Sequence, residues 1–322
     1  MSEDSHTLQG KSIAATIKAH GAELCSLRNA QGDELLWQAG PQWPRHAPLL
    51  FPIVGRLKND KLRHRGKVYP MTQHGFARDH RFEWVSRGPN SCKLVLRDSE
   101  ATWARYPFAF RLEIAYRVEG AALDVECEIT NSGEEMLPAS LGGHPAFNWP
   151  LHPGLSKQAY MLTFPDDEPA PIRRLKDGLM RPQPEPTPVR GKMLSLSEAL
   201  FEDDAVILDQ LASRSVRYAA DRGPSIEMSW QGFRELGVWS KPSGAPFLWP
   251  ISDAYYIAPV TPLPEIVIDY TGDRAFLASL VAPRTLGIWL HEFAVLALAV
   301  GAVQVARAWN PRPALRDAVE EP

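Results

Sequence analysis

The sequence predicts an all-β protein, a large antiparallel β-sandwich. Three observations carry that expectation. Apolar and polar residues alternate with a period of two along both arms of residues 110–129. The chain holds 29 prolines and ten tryptophans in 322 residues, the mark of a loop-rich β protein. Before Pro250 no stretch has the periodicity of a long amphipathic helix.

Taken in order, residues 11–38 give short strands around Ile13–Ile17, Leu24–Leu27 and Leu35–Trp37, with turn chemistry at Asn29-Ala30-Gln31-Gly32-Asp33. Residues 39–48 read as loop. Phe82–Val85 and Cys92–Leu96 flank a turn at Gly88-Pro89-Asn90. The clearest hairpin follows: Phe110, Leu112, Ile114, Tyr116 and Val118 alternate with polar or small residues, Glu119-Gly120 turns the chain, and Leu123, Val125, Cys127 and Ile129 alternate on the way back. Such alternation means antiparallel strands with one wetter face. Residues 165–188 are rich in proline and charge and read as a long surface excursion. An acidic turn, Glu202-Asp203-Asp204, then feeds the apolar run Ala205–Leu208, and strand-like segments continue at 216–218, 226–230 and 236–239. Regularly spaced short strands indicate a sandwich or barrel. The character changes after Leu248. Prolines crowd at 250, 259, 262 and 264, and residues 287–308 are strongly apolar. That last stretch reads as a helix packed on the protein or a hydrophobic tail. A membrane span ranks behind both, because His291 and Glu292 interrupt its start.

Composition narrows the function classes. A net charge of −3 with no basic stripe gives nucleic acid nothing to hold. The polar, acidic start is unlike a signal peptide, and Cys25, Cys92 and Cys127, an odd number without CxxC spacing, fit reduced thiols in the cytoplasm. No HExxH or His-x-His motif occurs, so no metal is expected. The sequence carries no feature that fixes an oligomeric state.

Candidate chemistry concentrates between Leu50 and Asp79. Arg56, His74 and Arg78 sit there on glycine-punctuated backbone, and His144 lies in a second glycine-framed segment, Gly142-Gly143-His144-Pro145. Polar groups on loops of a rigid scaffold are where small polar ligands bind. Histidine can give or take a proton near neutral pH. Arginine makes forked hydrogen bonds to hydroxyls, carboxylates or phosphates. Phe51, Phe76, Phe147 and Trp149 offer flat apolar faces, and Asp203 or Asp204 could accept from hydroxyls.

These segments, in this order, resemble the aldose 1-epimerase (galactose mutarotase-like) superfamily, in its LacX-like branch near the glucose-6-phosphate 1-epimerases. The residues carrying the resemblance are Gly21-Ala22-Glu23-Leu24, Glu34-Leu35-Leu36-Trp37, Pro48 to Leu57, His74 to Asp79, Gly143-His144-Pro145-Ala146-Phe147, Leu200-Phe201 with Asp204-Ala205, and Gly237 to Pro242. Together they cover roughly residues 12–248. The resemblance implies a supersandwich with a sugar cleft and a reaction that interconverts the α and β anomers of an aldose or sugar phosphate. It implies that His144 protonates the ring oxygen and that His74 hydrogen-bonds the substrate. By the same resemblance Arg56 and Arg78 line the cleft and Asp204, with Asp203 as the alternative, binds hydroxyls. Phe147 is expected to face the sugar. No metal or organic cofactor is implied.

One departure stands out. In relatives, Gly-Ala-Pro-Phe is soon followed by an Ile-Glu-Pro-Trp segment carrying the catalytic glutamate. Here Gly244-Ala245-Pro246-Phe247-Leu248 runs into Trp249-Pro250-Ile251-Ser252-Asp253, with Asp253 and Glu265 the nearest carboxylates. The expected organisation is therefore a mutarotase-like domain over residues 1–248 and an atypical segment over 249–322. A shifted reading frame would account for the switch. Translating the other two frames of the gene beyond codon 248 is expected to yield a Glu-Pro-Trp-like segment, and its absence from both would discard the frameshift.

Overall fold

The computed structural model describes residues 4–240 and, as backbone strands, Pro246–Ile251, Tyr255–Ile257, Ile288–His291 and Ala294–Ala297. Every strand pairing within its sheets is antiparallel, and the one α-helix among the described residues is the single turn Glu100–Trp103. The predicted hairpin is present as Phe110–Glu119 and Ala122–Asn131, paired in unbroken register from Ala122 opposite Glu119 to Asn131 opposite Phe110. Its alternation supplies the core directly: Phe110, Leu112, Ile114, Tyr116 and Val118 of one arm and Leu123, Val125, Cys127 and Ile129 of the other are buried. Ser91–Arg97 and Glu83–Arg87 extend the same sheet.

A second five-stranded sheet positions the site. Its order is Val206–Leu208, Glu235–Ser240, Pro246–Ile251, Gly142–Gly143 and Leu49–Leu50. One of its faces joins the main core through Leu49, Val206, Leu208, Leu236 and Val238. The other carries a smaller cluster of Leu50, Val54, Ala146, Ala205 and Ile207, fringed by half-buried Trp37, Trp43, Leu175 and Trp239. Period-two alternation sorts these residues: neighbours in sequence such as Leu49 and Leu50, or Val206 and Ile207, go to opposite faces.

The proline-rich stretch of residues 165–188 is mostly exposed or half-buried, the surface excursion expected, and is tied to the body at a few points. The buried Glu168 carboxylate accepts hydrogen bonds from the backbone N–H groups of Ala212 and Ser213 at 2.9 and 2.8 Å, Ile172 is buried, and Arg173 bridges to Ile207. Prolines remove backbone donors here, and side chains and a few bridges replace the missing ladder. In the apolar C-terminal stretch, the described residues Ile288–His291 and Ala294–Ala297 are strands rather than helix, paired with Ala122–Asn131 and Ile226–Ser229. No helix among the described residues is long and apolar enough to cross a membrane. Asp253 and Glu265 lie outside the described residues.

The approach of the segment around His74 to the strand Leu49–Leu50 is set by Gly75. Its φ is +70°, and an added Cβ would sit 2.5 Å from the carbonyl carbon of Phe51 and 2.7 Å from the Pro52 nitrogen, both rigid backbone atoms. Gly75→Ala is expected to cost about 3 kcal/mol in urea unfolding, from left-handed strain plus steric displacement.

Candidate active site

Two backbone exchanges fix the first histidine. His74 is itself left-handed, with φ +66°. Its N–H donates to the Gly55 carbonyl at 2.7 Å, and the Gly55 N–H donates back to the His74 Nδ1 at 3.0 Å. With Nδ1 accepting, the proton of the neutral ring belongs on Nε2, which makes Nε2 a donor. The Phe51 carbonyl accepts from the N–H groups of both Phe76 and Ala77, at 2.9 and 3.1 Å, so this turn is welded to the strand end.

The second histidine comes from the neighbouring strand. His144 follows Gly142–Gly143, and its N–H donates to the Pro48 carbonyl at 3.0 Å. Alternation places 142, 144 and 146 on the outer face of the sheet, where Ala146 joins the small cluster. The two imidazoles meet edge to face with centroids 5.8 Å apart, and Trp43 stacks on His144 at 5.1 Å. His144 is 4% exposed. Burial drives its pKa from the ordinary 6.5 down to about 3, with Arg78 and Arg45 pushing the same way against an opposing backbone hydrogen bond. His74 is held well below 6.5 by burial first, then by His144, Arg78 and Arg45. Both rings are neutral at pH 7.

Arg78 joins the histidines. Its Nη2 donates to the Gln73 carbonyl at 2.6 Å, while its buried Nε has no hydrogen-bond partner among the described residues. Burial and the facing Arg45 lower its pKa to about 10, although Asp79 and Glu23 oppose them. It remains charged at neutral pH. Asp79 takes Arg45 at 2.7 Å and lies 4.0 Å from the Arg78 Nε.

Arg56 is otherwise engaged. Its Nε and Nη2 form a forked pair with Asp60, both at 2.7 Å, and its side chain packs under the turn at Asp177-Gly178. Asp204 is exposed, with φ +64°. Its carboxylate caps its own neighbour, the Ala205 N–H, at 2.8 Å, and its carbonyl accepts from buried Arg174. Asp203, the alternative, pairs with Arg181. Phe147 is corrected to a core residue. It is 0% exposed and belongs to the main hydrophobic cluster, because odd positions of 144–147 point to the opposite face from His144. Phe51, Phe76 and Trp149 are likewise buried. Trp43 and Arg45, both in the loop of residues 39–48, escaped sequence reasoning. The run Trp43-Pro44-Arg45-His46 is the one local signal that could have marked them. Among the described residues no three His, Cys, Asp or Glu side chains form a set that could hold a metal ion.

The model of a family described as aldose 1-epimerase matches residues 4–249. The chain belongs to the aldose 1-epimerase family. Protein LacX of Lactococcus lactis subsp. lactis is 32% identical over 253 residues, covering 75% of this chain and 84% of that protein. A galactose mutarotase related enzyme from Lactobacillus acidophilus superposes with a TM-score of 0.77 at 28% identity, over 94% of this chain and 100% of its own. A galactose mutarotase-like protein from Lactobacillus casei gives 0.70 at 30% identity, over 77% and 87%. The β-sandwich is thus the family's fold.

A neutral buried histidine links the site to stability. Between pH 6.5 and about 3 the unfolded His144 binds a proton that the native ring refuses, so acid favours unfolding. Stability is expected to fall as pH drops through this window, by up to ~1.4 kcal/mol per pH unit from this ring alone. His144→Asn should flatten that slope in urea titrations at a series of pH values.

Proposed function

We propose that this protein is an aldose 1-epimerase that equilibrates the α and β anomers of an aldose or sugar phosphate through ring opening, and that residues 1–248 carry the activity in the cytoplasm. The observation that supports this most is the convergence of His74, His144 and Arg78 at the edge of one sheet in a chain of this family. Mutarotation needs one group to take a proton from the C1 hydroxyl and another to give one to the ring oxygen as the C1–O5 bond breaks. His144 and His74 are the groups assigned to contact the sugar, His144 giving a proton to the ring oxygen and His74 hydrogen-bonding through its Nε2–H, while a water molecule takes the C1 proton and returns one to His144. Trp43, stacked on His144, shields the ring from water. Arg78, charged and not fully hydrogen-bonded, favours an oxygen-rich or anionic group, with Arg45 beside it. Arg56 would reach a ligand only by sharing itself with Asp60, and Asp204 would offer its outer carboxylate oxygen to a hydroxyl.

A second reading, a catalytically impaired sugar-binding protein on the same scaffold, has its own support. Arg78 and Arg45 both oppose protonation of His144, and the Ile-Glu-Pro-Trp segment expected after Phe247 is absent from the sequence. Polarimetry or NMR exchange on glucose, galactose and glucose 6-phosphate separates the two. The epimerase reading expects anomer equilibration well above the spontaneous rate and a loss of at least ~100-fold in kcat for His144→Asn. Sugar binding with no acceleration would establish the second reading instead.

A further inference from the structure

Glu23 lies in the Gly21-Ala22-Glu23-Leu24 segment, which the functional reading leaves without a role. It is 3% exposed. Its Oε1 accepts hydrogen bonds from two successive backbone donors, the N–H groups of His46 and Ala47, at 2.8 and 3.0 Å. Its Oε2 meets the Lys18 ammonium at 2.5 Å. A carboxylate this deep is tolerated because its bonding is complete, and it is correspondingly intolerant of change.

What it holds is the strap that flanks the second histidine. The carbonyl of His46 accepts from the Ala146 N–H at 2.9 Å, and that of Pro48 accepts from the His144 N–H. The strap's donors therefore bind Glu23 while its acceptors bind the His144 segment. The same strap carries Trp43, on the His144 ring, and Arg45, on Asp79. We infer that Glu23 is a positioning residue for this site: its carboxylate holds residues 46–47 so that Trp43 covers the His144 imidazole and Arg45 stays against Asp79. It touches no substrate and acts through the strap.

Releasing the strap has a defined signature. Among the described residues, the groups that act on His144 include His74 and Arg78 from one side and Trp43 and Arg45 from the strap. Loosening the strap admits water and moves a cation away, and both changes raise the proton affinity of the ring. In Glu23→Gln the amide cannot satisfy both the two N–H groups and the Lys18 ammonium, so one end must open.

The test is the His144 ring titration, followed by NMR of histidine-labelled protein, in wild type, Glu23→Gln, Glu23→Asp and Trp43→Ala. The titration of His144 is expected to move up in Glu23→Gln in the same direction as in Trp43→Ala, and less in Glu23→Asp, which keeps the charge. The inference's catalytic consequence rests on the mutarotase reading: kcat for anomer exchange should fall between ~10- and ~100-fold in Glu23→Gln, with KM changing less. A folded Glu23→Gln protein whose His144 titrates as in wild type overturns the inference and leaves Glu23 a stability residue. Should that variant not fold, Glu23→Asp decides, since an unmoved titration there overturns it equally. A wild-type protein without mutarotation would remove the functional reading alone, because the ring titration needs no sugar.

Discussion

The site depends on one backbone junction, the Phe51 carbonyl receiving two N–H groups from the turn that follows His74. This junction requires consecutive left-handed residues at 74 and 75 and no side chain at 75. A left-handed histidine is uncommon and costs conformational energy, so its persistence needs surroundings that over-determine it. The reciprocal bonds with Gly55 do that, and they also select the tautomer of the ring. Sheet register, turn strain and imidazole protonation are thus settled by the same few atoms.

Electrostatics at the junction is lopsided. Two guanidinium groups and two imidazoles share a space where, among the described residues, the Asp79 carboxylate pairs with Arg45 and lies 4.0 Å from Arg78. The imidazoles respond by staying neutral, which is the cheaper outcome for a buried group beside like charge. Neutral rings donate and accept at once. That suits recognition of sugar hydroxyls, which do the same.

Much of the architecture was legible in the chain, for reasons that differ by element. The 110–131 hairpin announced itself because one face is buried and the other half-buried, which writes a period of two into the residues. His74, His144 and Arg78 were legible through their glycine-framed motifs, and the structure draws those three together. Arg56 was legible as a residue but not in its pairing, since an (i, i+4) partner such as Asp60 outside a helix leaves no periodic trace. Phe147 was misassigned because the motif gave proximity to His144 without the face, and one step along a strand reverses the face. Trp43 and Arg45 were hidden by their loop, whose shape is set by long-range bonds to Glu23 and to residues 144–146. The apolar C-terminal stretch has no alternation that separates helix from buried strand, and the residues described there, 288–291 and 294–297, are strands where a helix was one expectation.

The hairpin of Leu175–Lys176 and Leu179–Met180 sets its tip, Asp177-Gly178, against the Arg56 side chain. It belongs to none of the three five-stranded sheets, and its pairing is local. Insertions or deletions at that tip would therefore reshape the surroundings of one guanidinium without disturbing strand order or either histidine. The environment of Arg56 can thus drift by trimming or lengthening a peripheral finger, while the paired imidazoles stay as they are.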